Sequence, residues 1–202
     1  KGVIKKNGGA SLIDLGDGIA LLEFHSHSNS IGPDILQMIN FAIDEVEKNF
    51  KGLVLGNQGK NFSVGANLAM ILMEAQDDNI WDLDMVVRQF QQTTMKIKYC
   101  SKPVVAAPFG MTLGGGAEMC LPAAHIQASM ETYMGLVEAG VGLIPGGGGN
   151  KELYIKHLEG LPKGVDFDLQ KVANKVFETI AMAKVSTSGE EARENNFLNE
   201  AD

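Results

Sequence analysis

The sequence predicts an α/β domain, and three observations carry that expectation. Short apolar runs suited to buried strands alternate with segments whose apolar residues recur at helical spacing. The 24 glycines of the 202 residues gather at the strand-to-helix junctions, where α/β proteins place their sites. With 45% hydrophobic and 21% charged residues, the chain can bury a substantial core, and residues 1–202 read as one domain.

The elements follow in order. "GIALLEFHS" (18–26) after the turn-like "LGDG" reads as a strand. In "GPDILQMINFAIDEVEKNF", Ile35, Ile39, Ala42 and Val46 share a helical face, and Pro33 with Asp34 suits the first turn. "KGLVLGNQ" (51–58) is a second strand ending in a glycine turn, and "FSVGANLAMILMEAQ" a loop feeding a helix. Residues 79–98 place Ile80, Leu83, Val87 and Phe90 at helical spacing, and "KPVVAAPFG" (102–110) is a third strand with Pro103 at its start. "GGGAEMCLPAAH" opens another helix and "HIQAS" (125–129) is a fourth strand. Leu153, Ile155 and Leu158 then begin a helical region, followed by a long helical pattern from Val165 to Val185. Such alternation implies parallel pairing with right-handed crossovers.

Several functions are disfavoured at once. A net charge of −8 argues against a nucleic-acid footprint, which needs clustered Lys and Arg. Cys100 and Cys120 form no CxxC, so neither a zinc site nor a disulfide framework is indicated and a cytoplasmic setting is expected. No apolar run suggests a membrane helix or a signal peptide. The basic start "KGVIKKNGGA" lacks Met, which suits either an excised piece of a longer polypeptide or a processed or engineered terminus. No Walker A loop is present, and Pro145 occupies the third glycine position of a dinucleotide fingerprint begun by Gly140 and Gly142. His25 and His27, two apart, would share one face of a strand, but no third metal ligand lies nearby, so a strand-end or ligand-contact role is favoured. No G-x-S-x-G elbow or cysteine signature offers a nucleophile.

Two glycine-flanked glutamates remain. Glu118 follows Gly114, Gly115 and Gly116, and Glu138 precedes "AGVGLIPGGGG", both within stretches nearly free of other charge. Either alone could be a helix N-terminal acid favoured by the dipole. Together they suggest two carboxyl groups in a poorly solvated pocket, where desolvation raises pKa into the range of acid–base work. Glycines opening a helix expose N–H groups to a ligand oxygen. "FSVGANL" (62–68) could supply a second donor from another direction, making an oxyanion hole.

Three ordered motifs resemble the crotonase, or enoyl-CoA hydratase, superfamily: "GNQGKNFSVGANL", "KPVVAAPFGMTLGGGAEMCLPAAH" and "EAGVGLIPGGGG". The resemblance runs from about Ala10 to the end of the sequence. It implies a spiral of repeated strand-strand-helix units, assembled as a trimer or a dimer of trimers. It implies that the N–H groups of Ala66 and Gly115 form the oxyanion hole for a thioester carbonyl, that Glu118 and Glu138 hold a water and move the protons, and that the Gly146 N–H lies near that water. Coenzyme A, part of the substrate rather than a cofactor, would be contacted by Ser26, His27 and Ser28 and by the loop containing Ser63, Gly65, Asn67 and Leu68, with Gly114 and Gly116 flanking the site. No metal is implied.

The sequence departs from the family pattern in places. Asn67 stands for an acidic residue, Val137 for a proline, and "HSHSNSIG" lacks the Lys or Arg that many members place near the CoA phosphates. "NFLNEAD" stops roughly where the family's C-terminal helices begin. "EAGVGLIPGGGGNKELYIKHLE" is also similar to the hydratase-like domain carried behind an NAD-dependent 3-hydroxyacyl-CoA dehydrogenase in bacterial fatty-acid oxidation proteins. That similarity implies a covalently fused dehydrogenase as partner, with NAD confined to it. Hydration of an enoyl-CoA is the expected activity. Double-bond isomerisation and non-catalytic acyl-CoA binding or scaffolding are the alternatives.

Overall fold

A computed structural model describes residues 2–159, 161, 162, 164 and 166–202. β1 (Gly2–Lys6), β2 (Ala10–Gly16) and β3 (Ile19–Phe24) form an antiparallel meander. The β2–β3 turn passes through Asp17 and Gly18 at φ 57° and 82°, the left-handed geometry that a two-residue hairpin loop requires. β3 buries Ala20, Leu22 and Phe24 on one face, as period-2 side chains on a half-covered sheet should.

From β3 onward the chain alternates. α1 (Pro33–Asn49) starts with Pro33 in its first turn and buries Ile35, Leu36, Met38, Ile39, Ala42, Ile43 and Val46. β4 (Gly52–Gly56) follows, then α2 (Leu68–Gln76), capped by the Asn67 side chain on the Met70 N–H, and α3 (Ile80–Tyr99). β5 (Val104–Ala106) and β7 (His125–Ile126) complete a six-stranded sheet in the order β1-β2-β3-β4-β5-β7, with β3, β4, β5 and β7 parallel. Between them the chain leaves this sheet to form a separate parallel ribbon from β6 (Gly110–Leu113) and β8 (Thr132–Gly135). α4 (Gly115–Cys120) leaves β6, and a 3₁₀ turn (Glu138–Val141) follows β8. α5 (Gly149–Glu159), α6 (Leu169–Ala181) and α7 (Gly189–Glu194) close the described chain. Among the described residues, no helix is long and apolar enough to cross a membrane.

The α/β class and the main helices agree with the sequence reading, and four details correct it. Pairing is not parallel throughout, because β1, β2 and β3 run antiparallel. β1 is exposed along its whole length, an edge strand bearing lysines and therefore without a burial pattern to read. The long helical pattern is realised only as Leu169–Ala181; Val165 lies outside the described residues, while Val185 bridges Gly135. His25 and His27 do not share a strand face, since β3 ends at Phe24 and His27 opens a 3₁₀ turn (His27–Asn29).

The Gly135–Val185 bridge sets a packing limit. A Cβ on Gly135 would stand 2.5 Å from the Lys184 carbonyl oxygen and 3.0 Å from Val185 Cα. Backbone cannot swing aside as a flexible side chain can, so Gly135→Ala is expected to cost about 1–3 kcal/mol, as overpacking does. Urea unfolding followed by circular dichroism checks this; a wild-type midpoint would mean that the 184–185 segment yields freely.

Candidate active site

The ribbon positions the two glutamates. Leu113 pairs with Gly135 at its end, so the residues that follow leave the ribbon side by side. Gly114 links β6 to α4 at φ 51°, ψ −123°, a conformation that strongly favours glycine. Its N–H donates to the Gly135 carbonyl at 2.8 Å. Glu118 then falls in the first turn of α4, and Glu138 begins the 3₁₀ turn after β8.

Both carboxyl groups face one cavity of about 200 Å³, lined also by Gly65, Ala66, Gly114, Gly115, Gly146 and Gly147. Its remaining walls are largely apolar, with Met70 and Ile71 from α2 and Leu83, Val86, Val87 and Phe90 from α3. Glu118 is 4% exposed. Its Oε1 accepts the N–H of Gly147 at 2.9 Å and that of Gly149 at 2.8 Å.

Burial, reinforced by the nearby negative charge of Glu138, pushes the Glu118 carboxyl up to about 7 against the opposing pull of the glycine N–H groups. Burial also raises Glu138. Glu138 Oε2 is buried without a hydrogen-bond partner among the described residues, which favours a protonated carboxyl or a ligand in reach of it. Such interacting groups titrate as a pair. Near neutral pH the Glu118 carboxyl can therefore either hold or release its proton, beside a second carboxyl that burial also raises.

Two backbone donors stand beside the pair. Ile31 bridges Ala66 in parallel fashion: the Ile31 N–H donates to the Gly65 carbonyl at 2.8 Å, and the Asn67 N–H donates to the Ile31 carbonyl at 3.1 Å. In a parallel bridge of this kind Ala66's own N–H points away from Ile31. There it meets the start of α4, since a Cβ on Gly115 would stand 3.1 Å from the Ala66 nitrogen. Gly115 is the first residue of α4, so its N–H has no intrahelical acceptor. A Cβ on Gly65, itself at φ 102°, would stand 3.3 Å from the Gly115 nitrogen. The two nitrogens are thus neighbours, reachable because glycines flank them.

The structure therefore gathers Glu118, Glu138, Gly65, Ala66, Asn67, Leu68, Gly114, Gly115 and Gly146 around one cavity. Ser63 and Gly116 lie behind it. Ser63 Oγ donates to the Asn29 carbonyl at 2.7 Å and accepts the Gly65 N–H at 3.1 Å, fixing the loop that presents Ala66. A Cβ on Gly116 would stand 2.8 Å from Ser63 Cβ, so this glycine permits α4 to pack against the loop. Ser26, His27 and Ser28 do not line the cavity; they form the turn beyond β3, where Ser26 Oγ donates to the Ser30 carbonyl at 2.8 Å. Among the described residues no group of three or more His, Cys, Asp or Glu is placed to hold a metal ion.

Sequence reasoning missed the N–H groups of Gly147 and Gly149 and the Phe90 ring, which lies against Gly115 and Gly147. The run "PGGGG" was the available signal: consecutive glycines after a proline at a helix start leave donors free for a carboxylate.

Comparison with known proteins gives a consistent setting. The sequence profile of the enoyl-CoA hydratase/isomerase family matches residues 14–158. A probable 3-hydroxyacyl-CoA dehydrogenase of Bacillus subtilis (strain 168) is 71% identical over 202 residues, covering 100% of this chain and 25% of that protein. The fatty acid oxidation complex subunit alpha of Shewanella amazonensis (strain ATCC BAA-1098 / SB2B) is 32% identical over 162 residues, covering 76% of this chain and 22% of that one. The chain thus spans a quarter or less of either relative. Among solved structures, an enoyl-CoA hydratase from Polaromonas sp. JS666 superimposes with a TM-score of 0.79 at 20% identity, covering 95% of this chain and 70% of that chain. At that identity the likeness establishes the crotonase-type fold alone.

Proposed function

The chain belongs to the enoyl-CoA hydratase/isomerase family, and from that premise we propose that it hydrates trans-2-enoyl-CoA to 3-hydroxyacyl-CoA. One observation carries the choice of reaction: two carboxyl groups with raised pKa, Glu118 and Glu138, face the same cavity beside a pair of unengaged backbone donors. Hydration must take a proton from water and give one to carbon, and this pair can do both.

In the proposed reaction the thioester oxygen accepts from the N–H groups of Ala66 and Gly115. The ionised member of the pair removes a proton from water, whose oxygen bonds to Cβ while the π electrons move toward the thioester oxygen as an enolate. The protonated member then delivers its proton to Cα, restoring the thioester C=O. The pair ends with one proton, as it began. The Gly146 N–H is assigned to orienting the water. The donors aim at charge that develops only in the transition state, where each is worth about 3–4 kcal/mol.

Isomerisation needs a single proton-shuttling carboxylate, so the second glutamate facing the cavity favours hydration. Loss of the enoyl-thioester absorbance on mixing with crotonyl-CoA tests this. Movement of a 3-enoyl-CoA double bond without water addition would establish isomerisation, and acyl-CoA binding without either would establish a binding domain.

The pH dependence follows from the pair. As pH rises through about 7 the Glu118 carboxyl gives up its proton and with it the acid; at lower pH Glu138, raised by burial, becomes protonated as well and the base is lost. A bell-shaped kcat/KM profile for hydration is expected, with Glu118→Gln removing one limb. A flat profile through pH 6–9 would contradict the shared-proton scheme.

The named relatives support a place in fatty-acid oxidation, where a fused dehydrogenase using NAD would oxidise the 3-hydroxyacyl-CoA made here. The reading includes a cytoplasmic homo-oligomer, trimer or hexamer, without a cofactor in this domain. Sedimentation of the full-length polypeptide checks the assembly.

A further inference from the structure

Glu118 is held by backbone donors, and those donors are themselves held from outside the cavity. Gln91 Nε2 on α3 donates to the Gly146 carbonyl at 2.8 Å. That carbonyl belongs to the peptide whose N–H, from Gly147, donates to Glu118 Oε1 at 2.9 Å. One turn on, Thr94 Oγ1 lies 2.6 Å from the Gly147 carbonyl oxygen. Two oxygens that close need a proton between them, so the single hydroxyl proton lies toward Gly147 even though the Gln91 carbonyl stands 2.9 Å away on the helix. The Gly147 carbonyl thus anchors the residue whose own N–H meets Glu118, and, two residues on, the Gly149 N–H donates to the same Oε1 at 2.8 Å.

The Gly146–Gly147 peptide is therefore gripped on both sides, by Gln91 on its carbonyl and by Glu118 on its N–H, and the next carbonyl, that of Gly147, is held by Thr94. Hydrogen bonds in such a chain polarise one another, so a donor on the carbonyl strengthens the N–H on the far side. A third contact continues the row: Lys98 Nζ pairs with buried Glu152 Oε2 at 2.6 Å. Residues 91, 94 and 98 share one face of α3, at spacings of three and four.

The geometry points to Thr94, assisted by Gln91, as a positioning residue for Glu118: together they hold the carbonyls on either side of the Gly147 N–H, so that this N–H stays aimed at the carboxylate. Thr94 is buried and touches no reacting atom; Gln91 is exposed. The other charged group acting on Glu118 is Glu138 on the 3₁₀ turn, with the Lys98–Glu152 pair one turn further along α3. The kinetic part of this inference rests on the hydratase reading, and the titration part does not.

The test compares the full-length polypeptide with its Thr94→Val, Thr94→Ser, Gln91→Met and Glu118→Gln variants. The titration of Glu118 is followed by ¹³C NMR of labelled glutamate and assigned by the resonance missing from Glu118→Gln. Weaker donors stabilise the carboxylate less, so Thr94→Val should raise the Glu118 midpoint by roughly 0.5–1 unit. Gln91→Met should move it the same way by less, and Thr94→Ser should restore it. With crotonyl-CoA, Thr94→Val should lower kcat about 10-fold with KM within about 2-fold, and Thr94→Ser should recover it. An unshifted midpoint in Thr94→Val, or an equal shift in Thr94→Ser, overturns the assignment. Should Thr94→Val fail to fold, an unshifted Gln91→Met decides against it. If the wild type titrates as described but hydrates nothing, the hydratase reading fails and the positioning is judged on titration alone.

Discussion

Glu118→Gln is expected to lower kcat for enoyl-CoA hydration by about 10²-fold or more, the contribution of a positioned acid–base group, while making the protein more stable above neutral pH. The amide oxygen can still accept the N–H groups of Gly147 and Gly149, so the loop keeps its shape and the loss is chemical. The stability gain follows from proton linkage. Burial lifts the Glu118 carboxyl from its ordinary value of 4.5 to about 7, so between those values the folded chain holds a proton that the unfolded chain has released. Stability therefore falls as pH rises through that window and stays reduced above it. A neutral amide has no such penalty, and at pH 8 the variant should gain up to about 3 kcal/mol. Turnover with crotonyl-CoA and thermal unfolding at pH 6 and pH 8 measure the two effects. Wild-type turnover would remove Glu118 from the mechanism, and equal destabilisation at both pH values would show that its cost on folding is not electrostatic.

Gly115→Ala should be nearly as damaging for a different reason. The new methyl would stand 2.9 Å from Phe90 Cζ and 3.1 Å from the Ala66 nitrogen. The ring can turn, but the Ala66 backbone is held by the Ile31 bridge and by the Asn67 cap of α2. The methyl therefore covers the two N–H groups that the enolate oxygen would meet. A loss of about 10²–10³ in kcat is expected, the scale for removing an oxyanion donor, with a smaller change in KM, since the donors bind the developing charge better than the ground-state carbonyl. Retained affinity for acyl-CoA in calorimetry would separate this from misfolding. Normal kcat in a folded variant would mean that the thioester oxygen lies elsewhere.

Much of this was legible in the sequence because glycine and isolated charge are position-specific signals. Gly114–Gly116 before Glu118, and Glu138 before a glycine-rich run, stand out where a side chain or a charge has a local cost. Helices with long apolar faces, such as α1 and α3, were equally plain. What stayed hidden depends on distant segments. β1 has no buried face, and β6 and β8, at four residues each, are too short for period-2 alternation to register. The cavity walls from α2 and α3 look like ordinary core positions until the fold shows which side they face. Ser63 reads as a ligand contact from its place in the motif, yet it is 0% exposed with its hydroxyl engaged internally. Nothing in the run from Gln91 to Thr94 reveals that it meets the 146–148 peptides, more than 50 residues away along the chain.

The β6–β8 ribbon has a consequence for what can vary in this protein. Glu118 and Glu138 depart from adjacent strands whose pairing is fixed residue by residue from Gly110↔Thr132 to Leu113↔Gly135. The backbone points from which the two acids extend are thus set by that ladder, like the jaws of a calliper, before any rotamer is chosen. Much of the apolar wall belongs to α2 and α3, which lie outside the β6–β8 ladder. Substitutions on those helices, away from Phe90, Gln91 and Thr94, can resize the cavity while the strand exits that carry the two acids stay in place.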